Sequence, residues 1–339
     1  MKKIVLLAVI FLSFLTVAAQ DISVFVTGNN RGSLVPCGCV VPGGGWARIG
    51  AVLEKADAAA VRVAAGNHFF SHVPTPGDDQ ILDQNKALLQ AALFSEYHFD
   101  VINVGEYDLC YGLRFLQNAA SARDLPFVSA NVRDADGYAP FPPYCIVSRK
   151  GIDLAFIGIS EAQNGFNYSV VDPVPVLKQL LHGGITEEAD FIMLLADSPP
   201  SRTLTEFLKS TPGIDLVVCA RDPLTTEVPL HYGTTALVQL GSQGKYLGIL
   251  DLEYGAKKAN WMDISPYDRV VRKAEKSLPY AEDRKAAEKQ LKKQRRNLLN
   301  LSKKHPDRYL WKMLFLDGNI MDDPAIKARV TKYETYPGE

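Results

Sequence analysis

Five cysteines carry most of the chemistry that this sequence could perform. Cys37 and Cys39 stand one residue apart in "VPCGCVVPGGGWARIG", between an apolar run and a glycine-rich turn, and Cys110, Cys145 and Cys219 follow at long intervals. A thiolate is a nucleophile, a redox partner and a ligand for soft metal ions, which makes the cysteines the first place to look for catalysis. An odd count leaves at least one thiol free, intermolecular or ligated. There is no C-x-x-C and no C-x-x-C-H, so covalently attached haem is not indicated. Pro36 fixes φ before Cys37, and Gly38 lets the chain turn between the two thiols. Both sulfurs can then point to one side of a tight loop, although a C-x-C pair closes on itself only with strain. Cys145, in a strand-like segment, reads as a core residue.

Strands and loops must hold these thiols. Residues 22–27 alternate and are rich in β-formers, which predicts a strand leading into the Cys37 loop. Helical spacing over 46–56 puts Ile49, Val52 and Leu53 on one face. Further strands are predicted at 60–64, 100–104, 127–129, 191–195, 215–218, 236–240 and 248–252, with a hairpin of 144–148 and 153–159 around Lys150-Gly151. Helices are predicted at 79–97, capped by Asp78 or Asp79, and at 113–122, 174–182 and 203–210. Alternation of strands and helices early, with antiparallel strands late, predicts an α/β fold of two mixed sheets flanked by helices. Sites in such folds gather where strands end, here in the loops after Thr27, Ala64, Val104, Leu195 and Val218.

The chain opens on Met1, Lys2 and Lys3, then an apolar run that ends in Val17, Ala18 and Ala19. This reads as a signal peptide over residues 1–19, so the mature protein is expected in the periplasm and not spanning the membrane. That compartment permits disulfides. The net charge of −1 implies no global steering of polyanions, yet residues 282–304 hold nine Lys or Arg against three Asp or Glu. The expected organisation is a core over 20–271 and a basic helical extension over 272–339. Leu291, Leu298 and Leu301 give that extension a narrow apolar stripe, and 311–316 is apolar enough to dock on the core. Its basic face could meet a polyanion, an anionic lipid or an exported protein partner, or simply be solvated. It lacks interleaved aromatics, so no nucleic-acid partner is expected.

Seven short motifs in order resemble the metallophosphoesterase domain of secreted bacterial 5′-nucleotidases. They are "TGNNRG" (27–32), "GGWAR" (44–48), "AAGNHF" around Asn67, "GEYDLCYG" (105–112), "ANV" (130–132), "LLAD" ending at Asp197, and "IDLVVCARDP" ending at Pro223. The closing "LVQLGSQGKYLGILDLEY" also matches. The likeness runs from Asp21 to Tyr254. It implies a metallophosphoesterase-like αββα sandwich of two mixed sheets flanked by helices, with the extension as a C-terminal helical appendage. A subgroup of such exported proteins carries the P-C-G-C motif.

The departures shape the functional expectation. The resembled family holds two divalent metals with carboxylates, an Asn and several His. Here Asn29, Arg31, Asn67, Glu106, Tyr107, Asp197, Arg221 and Pro223 stand in ligand places. An amide cannot neutralise two cations and a guanidinium repels them, so the two-metal site and phosphatase activity are expected to be lost. His68 reads as a surface or packing residue. In the resembled fold the first, third and last loops share a rim, which implies that Cys37, Cys39, Cys110 and Cys219 meet there and makes Cys37, Cys39 and Cys110 the candidate catalytic residues. They could hold Zn or Cu, or form a thiol–disulfide couple in which Cys37 or Cys39 pairs with Cys110. One structural disulfide plus inert buried cysteines is the plainer alternative. Arg31 and Arg48 would lower a thiol pKa if they reach it. Asn29, Arg31, Asn67, Glu106, Asp108 and Arg221 are the candidate substrate or anion site, with Glu106 and Asp108 a possible acid/base pair. The expectation is thus a cysteine-lined cleft for redox chemistry or binding, against two alternatives: a non-catalytic anion- or partner-binding scaffold, and a residual metal-dependent hydrolase.

Overall fold

The computed structural model describes residues 20–255 and 260–333; the expected signal peptide lies outside them. In chain order the strands are β1 (Gln20–Thr27), β2 (Val61–Ala64), β3 (Val101–Asn103), β4 (Phe127–Val128), β5 (Val132–Asp134), β6 (Tyr144–Arg149), β7 (Ile152–Ser160), β8 (Tyr168–Val170), β9 (Phe191–Asp197), β10 (Leu216–Cys219), β11 (Leu230–Tyr232), β12 (Thr235–Gln239), β13 (Tyr246–Tyr254), β14 (Met262–Asp263) and β15 (Arg308–Phe315). The helices are α1 (Trp46–Leu53), α2 (Gln80–Glu96), α3 (Gly112–Ser121), α4 (Pro173–Leu180), α5 (Thr186–Glu188), α6 (Arg202–Ser210), α7 (Ser265–Ser277), α8 (Arg284–Lys304) and α9 (Pro324–Val330).

Two large sheets form the core: seven strands in the order β14-β15-β13-β1-β2-β3-β4, and six in the order β11-β12-β10-β9-β7-β6. Strand alternation sorts the side chains into layers. In β9, Phe191, Met193 and Leu195 enter the core between the sheets, while Ile192, Leu194 and Ala196 face an outer core with Leu177 of α4 and Leu204 and Phe207 of α6. In β1, Ile22, Val24 and Val26 enter the inter-sheet core, and Phe25 packs outward against the layer of α1, α2 and α3. The result is the expected αββα sandwich.

Several helix ends follow directly from sequence. Asp79 caps α2 by accepting from Leu82 N at 3.0 Å, and Ser201 caps α6 by accepting from Leu204 N at 3.2 Å. Boundaries move by a residue or two from the patterned expectation, as fraying ends do.

The C-terminal region holds the main surprise. Helices α7 and α8 form there, but 308–315 is also a strand, paired along its whole length with β13. Trp311 is fully buried and Tyr309 nearly so, both in the inter-sheet core. Alternating Arg308 and Lys312 point the other way and pair with Glu253 and Asp251 of β13. Helix α9 then packs Ile326 and Val330 beside α1. Local composition could show that 311–316 is apolar, but the partners that make it a strand, β13 along its whole length and β14 at its start, lie far away in sequence.

Candidate functional site

Parallel strands bring the loops after β1, β2, β3, β9, β10 and β12 to one edge of the two sheets, as expected for an α/β fold. The loops are tightly constrained there. Asn29, Arg31 and Asn67 all have φ between 53° and 60°, the left-handed region that most side chains avoid. Gly105 is required by a close approach, since a Cβ there would lie 2.4 Å from Asn67 N.

The side chains that stand in ligand places bind one another. Asn67 Nδ2 donates to Asp197 Oδ1 at 2.5 Å and to Ala220 O at 3.0 Å, and its Oδ1 accepts from Tyr107 N at 2.9 Å. Asp197 Oδ2 accepts from Glu106 N at 2.6 Å and from Ser160 Oγ at 3.1 Å. The Arg221 guanidinium donates to Glu106 and lies 3.7 Å from Asp197 Oδ1. Burial pushes the Asp197 carboxyl up, against the Arg221 charge and the donors from Glu106, Asn67 and Ser160. Arg31 hydrogen-bonds the Tyr107 hydroxyl and lies 4.3 Å over its ring. Asn29 Nδ2 donates to Gly241 O at 2.7 Å. Asn29, Arg31, Asn67, Glu106 and Arg221 thus meet at one rim, where Arg31 holds Tyr107 and Arg221 holds Glu106 while Arg31 Nε and Arg221 Nη1 stay buried without a hydrogen-bond partner. Tyr107 and Asp197, which the motif resemblance also put in ligand places, join them there.

Asp108 is not the exposed acid/base partner that its sequence position suggested. It is fully buried, and its two oxygens accept from the amides of Asn67, His68, Phe69 and Gly105 at 2.7–3.0 Å. Burial pushes its pKa up to about 6 while those four amides pull it back. It staples the β2 loop to the turn after β3. His68 is buried edge-on to Phe94 at 4.9 Å, and burial holds it neutral with a pKa of about 3.

The cysteines do not form the expected cluster. All five are free thiols, so no Cys37–Cys110 or Cys39–Cys110 bridge exists. Cys219 is fully buried in the outer core under α6, well away from solvent, and burial pushes its thiol up. Cys110 is half-buried with Sγ 3.8 Å from Glu106 O; burial, Asp108 and Glu106 raise its pKa to about 12. Cys145 lies on β6 against the inter-sheet core, its pKa likewise pushed up to about 12 by burial. Among the described residues, no three His, Cys, Asp or Glu side chains converge as a metal-binding group. The proposed quartet of Cys37, Cys39, Cys110 and Cys219 is therefore not assembled.

Cys37 differs from the rest. Its Sγ accepts from Gly43 N at 3.5 Å. Burial weighs against its thiolate, but hydrogen bonds from Cys39 and from the Gly43 and Cys39 amides, with the charge of Lys245, outweigh it and lower the pKa. Arg31 and Arg48 are not the cause. Arg31 is stacked on Tyr107, and Arg48 is held by Pro42 O, Leu316 O and Asp322. Cys39 is exposed. A cavity of about 410 Å³ adjoins the loop, lined by Cys37, Arg31, Phe70, Lys86 and Tyr333 among others. Lys245 had no signal in the sequence; it reaches Cys37 only through folding of the turn before β13.

The fold is similar to that of calcineurin-like phosphoesterases and 5′-nucleotidases. No protein-family model matches the chain. It is 24% identical over 235 residues to the trifunctional nucleotide phosphoesterase protein YfkN of Bacillus subtilis strain 168, across 58% of this chain and 16% of that protein. The chain thus spans about a sixth of the curated relative's length. Among solved structures it is similar to a 5′-nucleotidase precursor from Thermus thermophilus, with a TM-score of 0.66 and 16% identity over 93% of this chain and 58% of the other. It is also similar to calcineurin-like phosphoesterase YfkN from Bacillus subtilis, with a TM-score of 0.57 and 16% identity over 93% of this chain and 97% of that one. No helix among the described residues is long and apolar enough to cross a membrane.

Proposed function

We propose that this chain is an exported nucleotidase-like protein that has exchanged the two-metal centre of its fold for an internal ion-pair network, and that it acts through the Cys37–Cys39 thiols. The export reading rests on the signal peptide expected over residues 1–19. The residues at the rim do not fit a pair of divalent ions. A metal pair needs converging oxygen and nitrogen acceptors, whereas Asn67 presents N–H donors to Asp197 and Arg221 spans Glu106 and Asp197. The Arg221 cation supplies charge that ions supply in two-metal enzymes, so no hydrolytic step is assigned here.

The observation that carries the thiol reading is the setting of Cys37: hydrogen-bonded by Gly43 N and Cys39, near Lys245, in the wall of a cavity. A lowered pKa raises the thiolate fraction near neutral pH. In thiol–disulfide exchange, the Cys37 thiolate attacks a substrate disulfide. The substrate S–S bond breaks, a mixed disulfide forms on Cys37, and one substrate thiolate leaves. Cys39 then attacks Cys37 Sγ, releasing the second thiol and leaving a Cys37–Cys39 bridge. That bridge is strained, so an external thiol reductant readily resets it.

The test joins thiol counting to metal analysis of the purified mature chain. Expected are five thiols counted on the reduced, denatured chain, with Cys37 alkylated first in the native protein, and no divalent-dependent turnover of AMP. Two bound divalent ions with robust AMP hydrolysis overturn the proposal, and so does a Cys37 that alkylates no faster than Cys145.

A further inference from the structure

A second cleft lies away from this rim. A groove of about 940 Å³ runs between α7 and the adjoining ends of β13 and β15. Its wall carries Arg269, Arg272, Lys273 and Lys276, at i, i+3, i+4 and i+7 of α7, so the four cations share one helical face. Arg269 meets Glu227 at 3.2 Å and Arg272 meets Asp268 at 2.5 Å. Lys273 and Lys276 form no salt bridge among the described residues. Four cations thus face a single lining carboxylate, Glu227, in a protein whose net charge is only −1.

The floor is aromatic. Tyr246 and Phe315 are register partners across β13 and β15, and their rings lie 5.1 Å apart at 40°. Tyr280 stands at the lip and is 87% exposed, an unusual setting for a large aromatic ring. The far edge of Phe315 touches the thiol loop: a Cβ at Gly43 would lie 2.5 Å from it. The groove therefore ends against the segment that follows Cys39.

We propose that this groove docks an acidic segment of a partner polypeptide that carries an aromatic side chain. The cations are strung along the helix rather than converging on a point, which disfavours a single small anion. The stripe covers seven residues of rise, roughly 10 Å at 1.5 Å per residue. An extended chain advances about 3.3 Å per residue, so carboxylates at alternate positions fall opposite successive cations. The aromatic side chain packs on Tyr246 and Phe315, with Tyr280 closing over it. This goes beyond the thiol reading and does not depend on it.

The experiment is a fluorescence-anisotropy titration of the full mature chain with a fluorescein-labelled octapeptide of alternating glutamate and serine and one central tryptophan. Saturable binding at low salt is expected, weakening several-fold from about 50 to 200 mM salt as exposed charges are screened. The Lys273→Glu/Lys276→Glu variant, altered only at exposed positions, is expected to bind about tenfold more weakly with an unchanged melting temperature. Tyr280→Ala and replacement of the peptide tryptophan by serine are each expected to weaken binding about threefold or more. Cys37→Ser leaves the affinity unchanged, which separates this site from the thiol site. The proposal is overturned by unchanged affinity in the double-lysine variant, or by equal binding of a lysine–serine peptide. It is also overturned if phosphatidylglycerol vesicles or polyuridylate bind while the acidic peptide does not.

Discussion

Asn67 donates its side-chain N–H to Asp197 at 2.5 Å, joining the end of β2 to the end of β9 across the two sheets. Both residues are fully buried. The contact works only because one partner is an amide. Two carboxylates in these places would repel each other, whereas an amide and a carboxylate attract directly.

Asn67→Asp is expected to destabilise the protein by about 3–5 kcal/mol near neutral pH, because it sets two buried carboxylates against each other. The new carboxyl would have a folded pKa above its unfolded value. The deficit is therefore expected to shrink as pH falls from the raised folded pKa toward the unfolded value of about 3.9, and to level off only below about pH 3, where the group is protonated in both states. Urea denaturation at several pH values checks this. Asn29→Asp with Asn67→Asp is expected to give no Mn²⁺-dependent AMP hydrolysis, since Arg31 and Arg221 still occupy the rim; turnover in that variant would contradict the reading.

Arg221 neutralises Glu106 and Asp197 while remaining partly exposed. Arg221→Ala is expected to cost about 2 kcal/mol, less than for a fully buried pair because solvent screens one side. Removing Glu106 as well, in Arg221→Ala/Glu106→Gln, is expected to recover part of that loss. A double-mutant cycle measures the coupling, and full additivity of the two changes would dismiss the ion pair as a stabilising link.

His68 gives the protein an acid-sensitive element. Its folded pKa of about 3 lies below the unfolded value of 6.5, so the unfolded chain takes up the proton first. The stability it contributes is present above the unfolded pKa and is lost as pH falls from 6.5 toward 3, by at most about 1.4 kcal/mol per pH unit. His68→Gln is expected to flatten the pH dependence of stability in that window. Identical slopes for the two proteins would show that His68 is not held neutral.

Lys245 is expected to tune Cys37 through its charge. Lys245→Gln should raise the Cys37 pKa and slow its alkylation near pH 7.5 by about two- to threefold, with Cys110 and Cys145 unaffected. Competition alkylation read by mass spectrometry gives the rates residue by residue. A uniform change at all three thiols would instead point to altered folding.

Strand β15 is expected to be indispensable. Trp311→Ala should destabilise by about 3–5 kcal/mol, the usual cost of emptying a buried aromatic site. A chain ending at Ser277 should fail to give a cooperative melt, because β13 keeps β1 on one side but loses β15 along the other, and the inter-sheet core loses Tyr309 and Trp311. A folded core with an unchanged melting temperature would show the C-terminal region to be dispensable.

The sequence by itself determined the layers. Alternation in 22–27 and 248–252, buried apolar runs such as 191–195, and helical spacing in 46–56 each report a local periodicity that burial enforces. The ordered motifs likewise located the rim and named Asn29, Arg31, Asn67, Glu106 and Arg221 as its members. What side chains do at that rim was not local. Glu106 and Asp108 are two residues apart, yet one pairs with Arg221 and the other is sealed under four amides. Five cysteines look alike in one dimension, but burial raises Cys110, Cys145 and Cys219, while Gly43, Cys39 and Lys245 lower Cys37. Strand β15 and the cationic groove against α7 depend on segments some 60 residues apart finding each other. Desolvation, charge pairing and strand partnership are set by neighbours in space, so only the tertiary structure decides them.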